Sequence, residues 1–125
     1  MKLHPSQAST RNTFTGYGPG YVSVNGVRHE ASLAVMPGKI VEGWNVANVD
    51  FLTARDLTDL AALNPEMILL GTGETLRFPA THVLAELAAA GIGVEIMDTR
   101  AACRTYNILS EEGRNVAACL ILEKP

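Results

Sequence analysis

Gly91-Ile92-Gly93-Val94-Glu95-Ile96-Met97-Asp98-Thr99-Arg100-Ala101-Ala102-Cys103-Arg104-Thr105-Tyr106-Asn107 is the stretch on which the fold turns. Gly91 suits the left-handed exit of a preceding helix. Gly93 to Met97 reads as a buried strand, and Asp98 or Thr99 offers the side-chain oxygen that caps a new helix. The helix then runs from about Thr99 to Leu109. Within it Ala102, Thr105, Tyr106 and Leu109 fall at i, i+3, i+4 and i+7 and are expected to face a sheet. Arg100, Cys103, Arg104 and Asn107 repeat that spacing on the opposite side.

The flanking sequence continues the alternation. Ser110-Glu111-Glu112-Gly113 closes the helix, and Val116 to Leu122 is apolar on both alternating faces, as a central strand would be. On the N-terminal side, Pro79 fits the first turn of a helix, with Ala80, Val83, Leu84, Leu87 and Ala88 as its apolar face. Before it, Glu66-Met67-Ile68-Leu69-Leu70-Gly71 is a continuous apolar strand. An earlier helix starts at Thr53-Ala54-Arg55-Asp56, with Thr53 as cap and Leu57, Leu60 and Ala61 on one stripe. Asn64-Pro65 ends it.

The first third reads differently. Tyr21-Val22-Ser23-Val24 and Val27 to Val35 flank Asn25-Gly26, the favoured filling of a two-residue type I′ hairpin. Val27, His29, Ala31, Leu33 and Val35 should share one face, leaving Arg28, Glu30 and Ser32 on a wet one. Lys39 to Trp44 is expected as another strand, with Trp44 anchoring a packing interface. Residues 1 to 15 read as an irregular N-terminal arm, and Gly16-Tyr17-Gly18-Pro19-Gly20 as a break in regular structure. The expectation is one α/β domain over 16–125, with parallel pairing in its second half, an N-terminal β-hairpin and about three helices.

Totals bound the function. The 125 residues carry a net charge of -3, with 47% hydrophobic and 18% charged residues. That balance speaks against a broad nucleic-acid footprint. No apolar run approaches a bilayer span and the N-terminus has no secretory signal, so a cytoplasmic protein is expected. Cys103 and Cys119 lack metal-ligand spacing and read as buried free thiols. His4, His29 and His82 are scattered, so no metal and no cofactor are expected.

A few residues could carry chemistry. Gly71-Thr72-Gly73 ends a strand where open α/β sheets place ligands, although Leu76 stands where a third glycine of the dinucleotide fingerprint belongs. Arg100 and Arg104, one turn apart near a helix N-terminus, could hold a small anion. They could equally pair with Glu95, Asp98 or Glu111. Glu95 in an apolar strand must reach solvent or meet a partner, and a structural ion pair is its expected role. The candidate ligand- or partner-binding residues are Gly71, Thr72, Gly73, Glu95, Asp98, Arg100, Arg104 and Asn107. Tyr106 is expected to be structural, and no catalytic pair is identifiable.

Three of these stretches carry a family resemblance: Leu69 to Gly73, Gly91 to Thr99, and Ala102 to Leu109, joined by Glu112-Gly113-Arg114. From about Tyr21 to Leu122 the chain resembles the domain of unknown function 498 family. The resemblance implies a three-layer α/β domain with a mixed sheet, in a family that includes a mitochondrial assembly factor for respiratory complex I. A protein-binding or assembly-helper module with another protein as partner is therefore the first expectation. The alternative is a small-molecule enzyme or anion-binding protein using a crevice between Gly71–Gly73 and Asp98–Asn107.

Overall fold

Residues 11–124 are described by the structure, a computed structural model. Eight strands and three helices follow one another: β1 (Phe14–Gly18), β2 (Tyr21–Val24), β3 (Val27–His29), β4 (Leu33–Met36), β5 (Lys39–Val41), α1 (Ala54–Ala61), β6 (Met67–Gly71), α2 (Thr81–Ala89), β7 (Val94–Met97), α3 (Thr99–Glu111) and β8 (Val116–Leu120). A single 3₁₀ turn, Val49–Phe51, precedes α1. The central sheet has the order β5-β4-β8-β6-β7, and β1-β2-β3 form a separate small sheet.

Strands β8, β6 and β7 are parallel, while β4 runs antiparallel to both of its neighbours, β8 and β5, so the sheet is mixed as expected. The path from β6 through α2 steps outward to β7; the path through α3 returns past β6 to β8. Two right-handed crossovers of opposite direction place their helices on opposite faces, and the packing agrees. Val83 and Leu87 of α2 join Leu57 and Leu60 of α1 against Ile68, Leu70, Ala117 and Cys119. On the other face, Ala102, Cys103 and Tyr106 of α3 pack with Phe14, Val22, Leu69, Ala118 and Leu120. Helices, sheet, then helix plus small sheet make the three layers.

Local signals account for the element ends. Thr53 and Asp56 form the reciprocal capping box that starts α1: the Asp56 amide donates to Thr53 Oγ1 at 3.4 Å and the Thr53 amide to Asp56 Oδ2 at 2.8 Å. The hairpin turn has φ of 53° at Asn25 and 82° at Gly26, the pair of positive values a type I′ turn needs.

Five expectations are corrected. Phe14–Gly18 is a strand, so regular structure begins inside the expected arm and runs through part of the expected break; residues 1–10 lie outside the described residues. The strand expected from Val27 to Val35 is two strands in two sheets. Its supposed wet residue Ser32 is buried, donating from Oγ to the Val46 carbonyl at 2.6 Å and accepting from the Leu122 amide at 2.9 Å. A small hydroxyl can be buried where both of its roles are filled, and period-two patterning cannot register that. The strand expected from Lys39 to Trp44 stops at Val41, before Gly43 with φ of 75°. Pro79 precedes the N-cap Ala80 instead of lying in the first turn of α2.

Candidate functional site

The two strand ends singled out in the sequence do adjoin. Gly71 pairs with Met97 in the parallel register of β6 and β7. Beyond them the Thr72 amide donates to the Met97 carbonyl at 2.9 Å, and the Thr99 amide to the Gly73 carbonyl at 2.9 Å. The buried hydroxyl of Thr99 accepts from the Gly73 amide at 3.0 Å and donates to the Ile121 carbonyl at 3.3 Å. Thr72 is buried too, its hydroxyl donating to the Thr75 carbonyl and accepting from the Arg77 amide, each at 3.0 Å. A side chain at Gly71 would place Cβ 3.0 Å from the Thr99 Cα and 2.9 Å from Leu120, so glycine permits α3 to start against β6. Asp98 caps α3 by accepting from the Ala101 amide at 2.9 Å.

This stitching fills the expected crevice. The cavity beside Gly73, Thr99 and Glu123 amounts to about 10 Å³, room for no more than one water.

The remaining sequence candidates divide by use. Asn107 spends its amide on β1: Oδ1 accepts from the Phe14 amide and Nδ2 donates to the Phe14 carbonyl, both at 2.9 Å. It thereby acts as a strand partner for one residue of backbone. Tyr106 is fully buried, stacks edge-on with Phe14 at 5.0 Å and donates to the Asn12 carbonyl at 2.8 Å, the structural role expected of it. Burial pushes its phenol up to about 12. Arg100 and Arg104 are exposed and line none of the principal cavities. Arg104 donates to the Tyr17 hydroxyl at 3.4 Å, a contact that raises its guanidinium pKa. Among the described residues neither arginine, nor Glu95, makes an ion pair. The ion pair expected at Glu95 is thus replaced by solvation, because β7 is an edge strand and the carboxylate is exposed.

Cys103 corrects the expected polar face of α3: it is buried, and burial pushes its thiol up to about 12. Cys119, also buried and free, is pushed up further. Neutral thiols at physiological pH make poor nucleophiles.

Pattern reading missed a different group on the same rim of the sheet. Arg77, between β6 and α2, reaches Asp50 Oδ2 at 2.7 Å from Nη2 and Glu123 Oε2 at 3.4 Å from Nη1. Phe51, Leu76 and Phe78, beside these charges in sequence, are 69%, 51% and 64% exposed. The signal available in the sequence was Leu76-Arg77-Phe78 itself, an apolar–basic–apolar triplet in a loop. Two larger hollows flank Trp44. One of about 240 Å³ is bordered by Ser32, Val46 and Leu122; the other, about 470 Å³, lies between β5 and α1 and is bordered by Lys39, Asp56 and Leu60. Trp44 itself donates from Nε1 to the Asp56 carbonyl at 3.0 Å.

Known proteins resemble this chain in sequence and fold. The chain is 37% identical over 123 residues to NADH dehydrogenase [ubiquinone] 1 alpha subcomplex assembly factor 3 of Danio rerio, covering 97% of this chain and 70% of that protein. It spans 55% of the Bos taurus protein of the same name, at 38% identity over 82% of this chain. It is 44% identical over 123 residues to a Francisella tularensis protein named 13 kDa major membrane protein, covering 98% and 99% of the two chains. The fold matches a crystal structure from Bordetella parapertussis with a TM-score of 0.81 at 42% identity, over 91% of this chain and 98% of that one. The profile of the family described as protein of unknown function DUF498/DUF598 matches residues 14–121, nearly the whole of the described fold, and the chain belongs to that family.

Proposed function

We propose that this protein is a protein-binding, assembly-helper module of the cytoplasm that assists the building of an NADH dehydrogenase. The observation that carries this reading is the likeness to the Danio rerio assembly factor, which extends over 97% of this chain. The geometry supports it. At the rim where α/β folds hold small ligands, the chain's own hydrogen bonds join the two strand ends, which favours the protein-binding reading over the small-molecule alternative. Exposed groups then carry the function, with Arg100 and Arg104 as candidate partner contacts on the solvent side of α3.

Deleting the gene in its own host and following NADH dehydrogenase on native gels tests the reading. The expected result is less full-size complex, with smaller intermediates accumulating and a plasmid copy restoring the normal pattern. Normal amounts of full-size complex in the deletion strain would overturn it.

A further inference from the structure

The rim around Arg77 is built for contact. Its guanidinium joins two separate segments, the 3₁₀ turn carrying Asp50 and Phe51 and the loop carrying Leu76 and Phe78. It also holds Glu123, three residues beyond the end of β8. The phenyl rings of Phe51 and Phe78 are 69% and 64% exposed. Given the area of such side chains, the pair alone leaves on the order of 200–300 Å² of apolar surface in water. Leu76 adds to it, bringing the rim to the size of the largest apolar patch on an ordinary monomer, which is often functional. Val27 and Ile108, also exposed, lie on other elements, β3 and α3. Cross-linking by Arg77 fixes the two segments before any partner arrives, so less ordering has to be bought by binding.

The charge around the patch selects the occupant. Glu74 borders the same small cavity as Glu123, and Asp50 and Glu123 share Arg77. Two carboxylates thus share one guanidinium, and a third, Glu74, borders the cavity beside Glu123. Lys124, next in sequence, borders the hollow beside Trp44 instead. We propose that Phe51, Leu76 and Phe78, ringed by Asp50, Glu74 and Glu123, form the docking surface for an apolar segment of a partner protein that carries lysine or arginine. The excess of carboxylates favours a basic peptide and opposes an anionic lipid surface. This inference rests on the protein-binding reading above and gives that reading its surface and the chemistry of its partner.

The test titrates the isotope-labelled full chain with three probes. These are an amphipathic leucine/lysine peptide, its leucine/glutamate counterpart, and vesicles of phosphatidylcholine with phosphatidylglycerol. The leucine/lysine peptide is expected to shift the amide signals of Asp50, Phe51 and Glu74 to Phe78. In the doubly substituted Phe51→Ser, Phe78→Ser chain, its affinity should fall about tenfold or more at an unchanged melting temperature. Equal binding of the glutamate peptide, shifts confined to other elements, or preferential binding of vesicles would each overturn the proposal. The same double variant, returned to the deletion strain, is expected not to restore the complex. If it restores assembly as fully as the wild-type gene, the docking surface is wrong and the assembly reading stands. If deletion has no effect on assembly, that reading falls and the peptide titration decides the rim.

Discussion

Thr99 shows how one residue can join three strand ends. It accepts from Gly73 after β6, donates to Ile121 after β8, and opens α3 directly after β7. Thr99→Val keeps the shape and leaves a buried amide and a buried carbonyl without a partner. The expected cost is about 1–3 kcal/mol in denaturant unfolding, with Thr99→Ser close to wild type. A valine variant as stable as wild type would show that the hydroxyl is not the joint. The sequence marked Thr99 only as a possible cap, since its two partners lie 26 and 22 residues away. Tyr106 was legible because helical spacing sets its face. Cys103, read correctly as a buried free thiol, was nevertheless set on the outer face by that spacing: α3 packs on the sheet and also against Phe14 of β1, so its buried stripe is wider than one contact line implies. Asn107 looked free for the same reason, because β1 was not foreseen as its partner.

At the scale of elements, exposure follows position in the sheet. β7 is an edge strand, so Glu95 needs no ion pair; β8 is central, and all five of its residues are buried. Glu66 joins the start of β6 to the start of β8, accepting from the Asn115 amide at 2.9 Å and from Arg114 Nε at 3.4 Å. The Asn115 amide, more than the Arg114 guanidinium, holds the Glu66 carboxyl below its ordinary range. A folded pKa below the unfolded one stabilises above the unfolded value, and that contribution is lost as pH falls through the folded value. Between about pH 6 and about pH 3 the wild type should therefore lose more melting temperature than Glu66→Gln, whose side chain does not titrate. Parallel loss in both proteins would exclude Glu66 as a contributor. The group is exposed, so the difference is expected to be small.

For the whole molecule, the layered topology orders local stability. β8 lies between β4 and β6 and is covered on both faces, so its amides should exchange with solvent only on global opening. Amides of β5 and β7, on the two edges, should exchange faster by sub-global opening. Native-state hydrogen exchange would check this, and β7 exchanging as slowly as β8 would contradict it. The amino-acid sequence by itself determined the order and type of most elements, the hairpin turn at Asn25-Gly26, the helix cap at Thr53 and the α/β class. These depend on periodicity and on neighbours a few residues apart, where steric and hydrogen-bonding preferences act directly. Only the tertiary structure decided the strand order, the division of residues 27–36 between two sheets, and the engagement of Thr99 and Asn107 inside the fold. It also brought Asp50, Arg77 and Glu123 to one rim. Each of those outcomes joins residues far apart in the chain, and their energies exist only once the intervening layers have packed.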